Sequence, residues 1–297
     1  MKFSLIQLFE GGNATKEWGT QRVTRSDLDE VLTVVSKALQ MDKKELADNL
    51  LGSARVLYMN KKKDAGDIDF AFSKYKKQEI HNKMKSLTNN QSVYNTGTKI
   101  GSYAVEVKGG KKVQVDFMFV DSPDFAKFMY YSAEGVDSQY PGAVRNIMLM
   151  TLVTFIREEG KDFVSKNAEG DIIARASRSL KLDTGLERLF KVAKKRKDGE
   201  GRVKSLEKVS PEELEKELKE IDPSVIGKFE KTPDVISDPE AIAHFLFGKG
   251  ISAKNIMTAE NVAKLIKKKF SGEELKKIKE KIKEVLTDSD LPVPKEL

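Results

Sequence analysis

The run Val113-Gln114-Val115-Asp116-Phe117-Met118-Phe119-Val120 constrains this chain more than any other feature. Side chains alternate faces along a strand, and a run this apolar reads as a central strand covered on both sides. Yet it carries one carboxylate, Asp116. Burying an unpaired carboxylate is expensive. Asp116 must therefore lie at a strand end, pair with a cation, or bind a metal.

A second acidic pattern stands upstream. Asp67-Ile68-Asp69-Phe70-Ala71-Phe72 alternates as a strand does, with Ile68, Phe70 and Phe72 on one face and the two carboxylates projecting from the same edge. Such a pair can grip one or two divalent cations through oxygen, as magnesium prefers. Two cations about 3.5–4 Å apart can clamp the attacking and leaving oxygens of a phosphoryl transfer. If the Asp116 strand lies next to this one, the third carboxylate completes the cage and accepts the proton of an attacking hydroxyl.

The composition narrows the chemistry further. The chain of 297 residues has no cysteine and two histidines, His81 and His244. Disulfides, thiol nucleophiles and thiolate metal sites are excluded, so metal chemistry must run on carboxylates. The formal net charge of +7, from 53 basic and 46 acidic residues, permits an anionic partner without identifying one. No apolar run approaches the roughly 20 residues of a membrane span, and Met1 to Glu10, one lysine and a short apolar stretch broken by Gln7, does not read as a convincing secretory signal. The expectation is a cytoplasmic protein.

The expected organisation is an α+β chain: an N-terminal arm over 1–24, an α/β domain over 25–140 with a small mixed sheet and flanking helices, and a mostly helical second domain over 141–297. Trp18 is expected to pin the arm. Ser26 and Asp29 predict a capped helix whose apolar face is Leu28, Val31, Leu32, Val35 and Leu39. A short helix over Lys43 to Asn49 and one over Tyr75 to Leu87 follow. Two β-rich runs around Gly109-Gly110 predict a hairpin. Val144 to Ile156 reads as a core helix, Ser210-Pro211-Glu212-Glu213 as a capped helix start, and Asp238-Pro239 and Ser271 as further starts. The segment 194–204 reads as a Lys-rich linker or mobile loop.

Between the first helices lies Leu51-Gly52-Ser53-Ala54-Arg55. A Gly-Ser turn offers backbone N–H groups and a hydroxyl to a phosphate. The order is then apolar-Gly-Ser, thirteen intervening residues, Asp-Ile-Asp, and Asp116 on a later strand. This resembles the DNA polymerase β-like nucleotidyltransferase superfamily, whose signature is an apolar residue with Gly-Gly or Gly-Ser, a gap of about a dozen residues, Asp-x-Asp, and a third acid on a neighbouring strand. The likeness covers roughly residues 28 to 120. Leu8-Phe9-Glu10-Gly11-Gly12-Asn13, with Leu51-Gly52-Ser53 and Gly66-Asp67-Ile68-Asp69, also looks like nucleotidyltransferases of large tailed bacteriophages. For a phage-encoded chain the location would be the host cytoplasm. One departure is that Ala47-Asp48-Asn49-Leu50-Leu51 is a poorer strand than the family shows before its turn.

The resemblance implies a small mixed sheet followed by a helical domain. It implies that Gly52 and Ser53 hold a nucleoside triphosphate and that Asp67, Asp69 and Asp116 bind Mg2+, with Mn2+ as a substitute. An NMP would move to an acceptor hydroxyl on RNA, DNA, a protein or a small molecule. The alternative is a module that keeps the fold without the reaction and binds nucleic acid or a protein. Arg55 reaches either a phosphate or a surface ion pair, and Lys61-Lys62-Lys63 either neutralises triphosphate or is a solvated loop; Lys63 and Arg55 are the candidate nucleotide contacts. Arg145, and Arg175, Arg178 and Lys181 in an expected helix, are candidates to face the cleft. His81 is expected exposed and His244 packed or capped. Tyr130-Tyr131 and Met148/Met150 read as core.

Overall fold

In the computed structural model, which describes residues 14–97, 99–130, 138–157, 162–195, 202–227 and 235–297, the apolar run around Asp116 is an interior strand. The chain opens with strand β1 (Val23–Thr24), helices α1 (Arg25–Leu39), α2 (Lys43–Ala47) and α3 (Gly52–Tyr58), and strands β2 (Asp64–Ala65) and β3 (Ile68–Ser73). Helix α4 (Lys77–Leu87), strands β4 (Ser92–Asn95), β5 (Ile100–Glu106) and β6 (Lys112–Val120), and helix α5 (Pro123–Tyr130) complete the first half. Its main sheet has the order β3-β6-β5-β4 and is mixed: β6 runs parallel to β3 and antiparallel to β5.

The alternation within β3 and β6 builds two cores. Ile68, Phe70 and Phe72 join Val113, Val115, Phe117 and Phe119 on one face, beneath apolar residues of α1 to α4. The rings of Phe70 and Phe117 stack at 5.3 Å, and Tyr103 meets Phe117 edge-on at 5.8 Å. On the other face a smaller cluster of Leu51, Ala71, Met118, Val120 and Ala126 continues the row of the carboxylates, Asp69 standing two residues before Ala71 and Asp116 two before Met118.

Several local expectations shift. Thr24, not Ser26, caps α1 and forms a capping box with Asp27, while Asp29 pairs with Arg25 at 2.5 Å. His81 is half-buried rather than exposed, with Nδ1 2.6 Å from the Tyr103 hydroxyl. His244 is exposed rather than packed. Trp18 is half-buried and joins none of the buried clusters among the described residues. The arm is tied instead by Thr15, whose N–H and hydroxyl both donate to Gln114 Oε1, at 3.1 and 2.9 Å, and by the Gln21 N–H, which donates to the Lys112 carbonyl. Leu8 to Asn13 and Tyr131 lie outside the described residues.

The second half is not mostly helical. After the buried helix α6 (Gly142–Val153) come strands β7 (Val164–Lys166), β8 (Ile172–Lys181), β9 (Gly185–Lys195) and β10 (Arg202–Val209). They form an antiparallel sheet of order β10-β9-β8-β7, joined along β9 by β11 (Val235–Ile236). Arg175, Arg178 and Lys181 therefore sit on a strand; of the expected linker, Lys194 and Lys195 end β9 and Arg202 to Lys204 open β10, and residues 196–201 lie outside the described residues. Ala174, Ala176, Arg178 and Leu180 alternate inward on β8. Small residues and a buried arginine on the inward phase conceal the period of two that marks a strand. Helix α7 (Pro211–Ile221), with the expected Ser210–Glu213 capping box, packs on one end of this sheet. Helices α6, α8 (Pro239–Phe247), α9 (Ala259–Lys269) and α10 (Gly272–Asp288) share a core with its other end, Leu180, Leu182 and Leu186. Met148 is buried there and Met150 packs against it, as expected. No helix among the described residues is long and apolar enough to cross a membrane.

Phe117 is fully buried between the rings of Phe70, Phe72 and Tyr103. Phe117→Ala should destabilise the chain by about 3–5 kcal/mol, read from the urea midpoint at unchanged slope.

Candidate metal centre

The parallel pairing of β3 and β6 decides the geometry of the site. In that register Asp69 stands directly beside Asp116, as Ile68 stands beside Val115. Asp67 precedes β3 by one residue, and the β1–β2 pair with its Arg22–Asp64 ion pair (2.5 Å) fixes the chain that leads to it. One carboxylate oxygen from each of Asp67, Asp69 and Asp116 lies within 4.8 Å of the others. Asp67 and Asp116 are buried and Asp69 is half-buried.

Crowding of this kind penalises the charged state. Burial, then the Asp67 and Asp116 carboxylates, hold the Asp69 pKa well above the usual carboxylate range. Burial and then Asp67 push Asp116 up to about 7, against hydrogen bonds from Gln114 and Ser102 that favour its ionised form. Asp116 Oδ1 is buried without a hydrogen-bond partner. Three close carboxylates, one with an orphaned buried oxygen, form an acceptor-only set that fits a hard divalent cation. These residues can hold a metal ion.

The Gly-Ser segment joins the same site. Asn49 to Leu51 lies along the free edge of β3: the Leu51 N–H donates to the Asp69 carbonyl at 2.9 Å, and the Ala71 N–H donates to the Asn49 carbonyl at 3.0 Å. The poor strand of the sequence is thus a single-bridge edge contact, Leu50 to Phe70. Gly52 follows with φ +49°, in the left-handed region, and a methyl group there would come within 3.7 Å of Asp69 Oδ2. Gly52 and Ser53 are the first two residues of α3.

The other candidates stand apart. Arg55 turns to α2, donating to the Ala47 carbonyl at 3.1 Å with Asp48 at 3.9 Å. Lys63 is exposed, four residues before Asp67. Arg145 does not face the cleft. It is buried, its guanidinium donates to the Phe128 and Met129 carbonyls and to Asn146 Oδ1, and burial lowers its pKa to about 10. Its role is to close the C-terminal end of α5. Arg178 is buried on the inner face of β8, directly opposite Arg188 of β9.

Three residues were missed by reading the sequence. Gln114 Nε2 donates to Asp116 Oδ2 at 2.9 Å while its Oε1 accepts from Thr15, so Thr15 fixes the orientation of the amide that holds Asp116. Ser102 stands opposite Asp116 on β5. Gln114, a polar residue two positions before Asp116 on the same face of an apolar strand, was the legible signal. A scan against protein-family models and a search of curated proteins find no match for this chain.

Partners of metal ligands typically control affinity by about 10–100-fold. Gln114→Leu should weaken divalent-cation binding by that order, measured by calorimetry, with Asp116 left in place. Stability should carry the sign of the crowding. A carboxyl whose folded pKa is raised binds a proton that the unfolded chain releases, so wild-type stability falls as pH rises from about 4 through the folded pKa of about 7 for Asp116. Metal-free Asp69→Asn should therefore melt above the wild type at pH above 7, and the gap should close on acidification through that window. Melting curves in EDTA across that range check this.

Proposed function

We propose that this chain is a magnesium-dependent nucleotidyltransferase, moving an NMP from a nucleoside triphosphate to an acceptor hydroxyl. The observation that carries this reading is the convergence of Asp67, Asp69 and Asp116 within 4.8 Å, with Gly52 against Asp69. The likeness of the motif order to the polymerase β-like superfamily supplies the reaction class. Asp67 and Asp69 would hold two cations and Asp116 the catalytic one. Bound there, Mg2+ would neutralise phosphate charge and lower the pKa of the attacking hydroxyl. Mn2+ offers the same oxygen-ligand chemistry.

The chain's own groups would do the rest. The backbone N–H groups and hydroxyl at Gly52-Ser53 would face the β- and γ-phosphates and set the triphosphate in line. The acceptor oxygen forms a bond to the α-phosphorus, the bond to the bridging oxygen breaks, and pyrophosphate leaves. The hydroxyl proton passes to the Asp116 carboxylate. Gln114 and Ser102 would keep that carboxylate aimed through the step.

Asp69→Asn should abolish transfer of label from α-labelled NTP to acceptors in a cell extract while leaving the circular dichroism spectrum unchanged. Undiminished transfer by that variant would refute the assignment. Saturating NTP with Mg2+, at a hundredfold over its Kd, should also stabilise the wild type by about 2.7 kcal/mol, and no shift with any of the four nucleotides would favour an inactive module.

A further inference from the structure

The outward face of the second sheet carries a row of like charges. Arg175 of β8 is the direct cross-strand partner of Lys191 of β9, and Lys191 is the direct partner of Lys208 of β10. The three stand side by side across three strands, on the face opposite to Ala174, Ala176 and Val192. Neighbouring strands are about 4.8 Å apart, and like charges directly opposite one another destabilise a sheet. Among the described residues none of the three has an ion-pair partner. Arg175 Nε is buried without a hydrogen-bond acceptor. Burial, then Arg175, Lys181 and Lys208, lower the pKa of the Lys191 ammonium, so the repulsion is felt within the row.

The rest of this face does not neutralise it. Ser177 and Ser179 lie between the row and the β8–β9 turn, with Leu189 and Glu187 opposite them. Glu187 stands four positions along β9 from Lys191, about 13 Å away, too far to pair with the row. Lys181, on the same face as Arg175, extends the positive track to the turn, a run of six residues or about 20 Å. That turn docks against the first sheet: Asp183 pairs with Lys99 at 2.9 Å, and Lys99 leads into β5, the strand that carries Ser102 opposite Asp116.

We propose that this face binds the phosphate backbone of a single-stranded nucleic acid whose hydroxyl end is the acceptor at the aspartate site. The acceptor part rests on the nucleotidyl-transfer reading; the binding part rests on the row of charge itself. A single strand is a linear polyanion that can span the distance from the row to the carboxylates and ends in the nucleophile the reaction consumes. An acidic protein surface or a lipid headgroup layer supplies the charge but not that end. No aromatic ring stands among the face residues named, so contact is with phosphates rather than bases, and binding should be strongly salt-dependent and little sensitive to sequence.

The test is fluorescence anisotropy of the full chain with a fluorescein-labelled oligouridylate over a series of NaCl concentrations. The variant Arg175→Gln/Lys191→Gln/Lys208→Gln should bind at least about tenfold more weakly, and its log–log salt slope should be flatter by about 2, since each phosphate on a single strand contributes about 0.7. It should melt no lower than the wild type, because removing like charges relieves the row. The charge-conserving variant Arg175→Lys/Lys191→Arg/Lys208→Arg should bind as the wild type does. Transfer of label to the oligonucleotide's hydroxyl end by the wild type supports the acceptor role, and a wild type that binds but never transfers would remove that role while leaving the binding face. The proposal is overturned if the wild type does not bind the oligonucleotide, or if the glutamine variant keeps the wild-type slope. It is equally overturned if that variant weakens only because it unfolds while the charge-conserving variant also loses binding, or if polyglutamate or phosphatidylserine vesicles compete as well as unlabelled oligonucleotide.

Discussion

Mutual repulsion of carboxylates fixed side by side in a parallel strand pair is the constraint on which the first half of this structure turns. Asp69 and Asp116 are register partners, so the ladder of backbone hydrogen bonds that holds β3 against β6 also holds their charges together. The side chains cannot separate without slipping the register, and a slip of one residue would turn Phe70 and Phe117 out of the core on which α1 and α4 rest. Packing energy from the aromatic face is thus what maintains the electrostatic strain on the opposite face. A cation relieves that strain without moving the backbone, which is how a stable sheet can present a preformed ligand set.

The same reasoning explains why polar residues around the cluster matter. Gln114 cannot neutralise Asp116, but it fixes where one of its oxygens lies and leaves the other bare. Its own orientation is set by Thr15, brought in by the arm that runs along Lys112. The N-terminal segment is therefore coupled to the carboxylates through one amide, although no apolar cluster among the described residues includes its tryptophan.

Much of the first half was legible because its physics is local. Alternation in Asp67 to Phe72 and the apolar run around Asp116 announced strands, and a carboxylate inside such a run needed a reason. What the sequence could not show was the order of strands, since the pairing of β3 with β6 spans forty-six residues between Asp69 and Asp116 and no local rule fixes it. The second sheet was read as helix for a different reason. On β8 the inward phase is Ala174, Ala176 and Arg178, and on β9 it includes Arg188. Alanine favours helices, and an arginine on a buried phase breaks the apolar alternation that a strand is recognised by. The Arg145 side chain misled in the same way: a charge at a helix start suggested a cleft, whereas the guanidinium is consumed by carbonyls at the end of α5.

The two halves carry opposite electrostatic problems. One face of the first sheet concentrates negative charge with too few donors, and the outer face of the second concentrates positive charge with too few acceptors. The Lys99–Asp183 pair sits where the two approach, and neither partner belongs to the aspartate cluster or to the cationic row. Direct neutralisation of one by the other would require the carboxylates and the row to meet, which the length of the β8–β9 hairpin prevents. On the proposed reading, each is satisfied by something that is not part of the chain: a small divalent cation at the carboxylates, and an extended polyanion along the strands. A reaction that joins a metal-bound triphosphate to the end of a phosphate polymer would satisfy both at once, and it would do so in the geometry that the hairpin imposes.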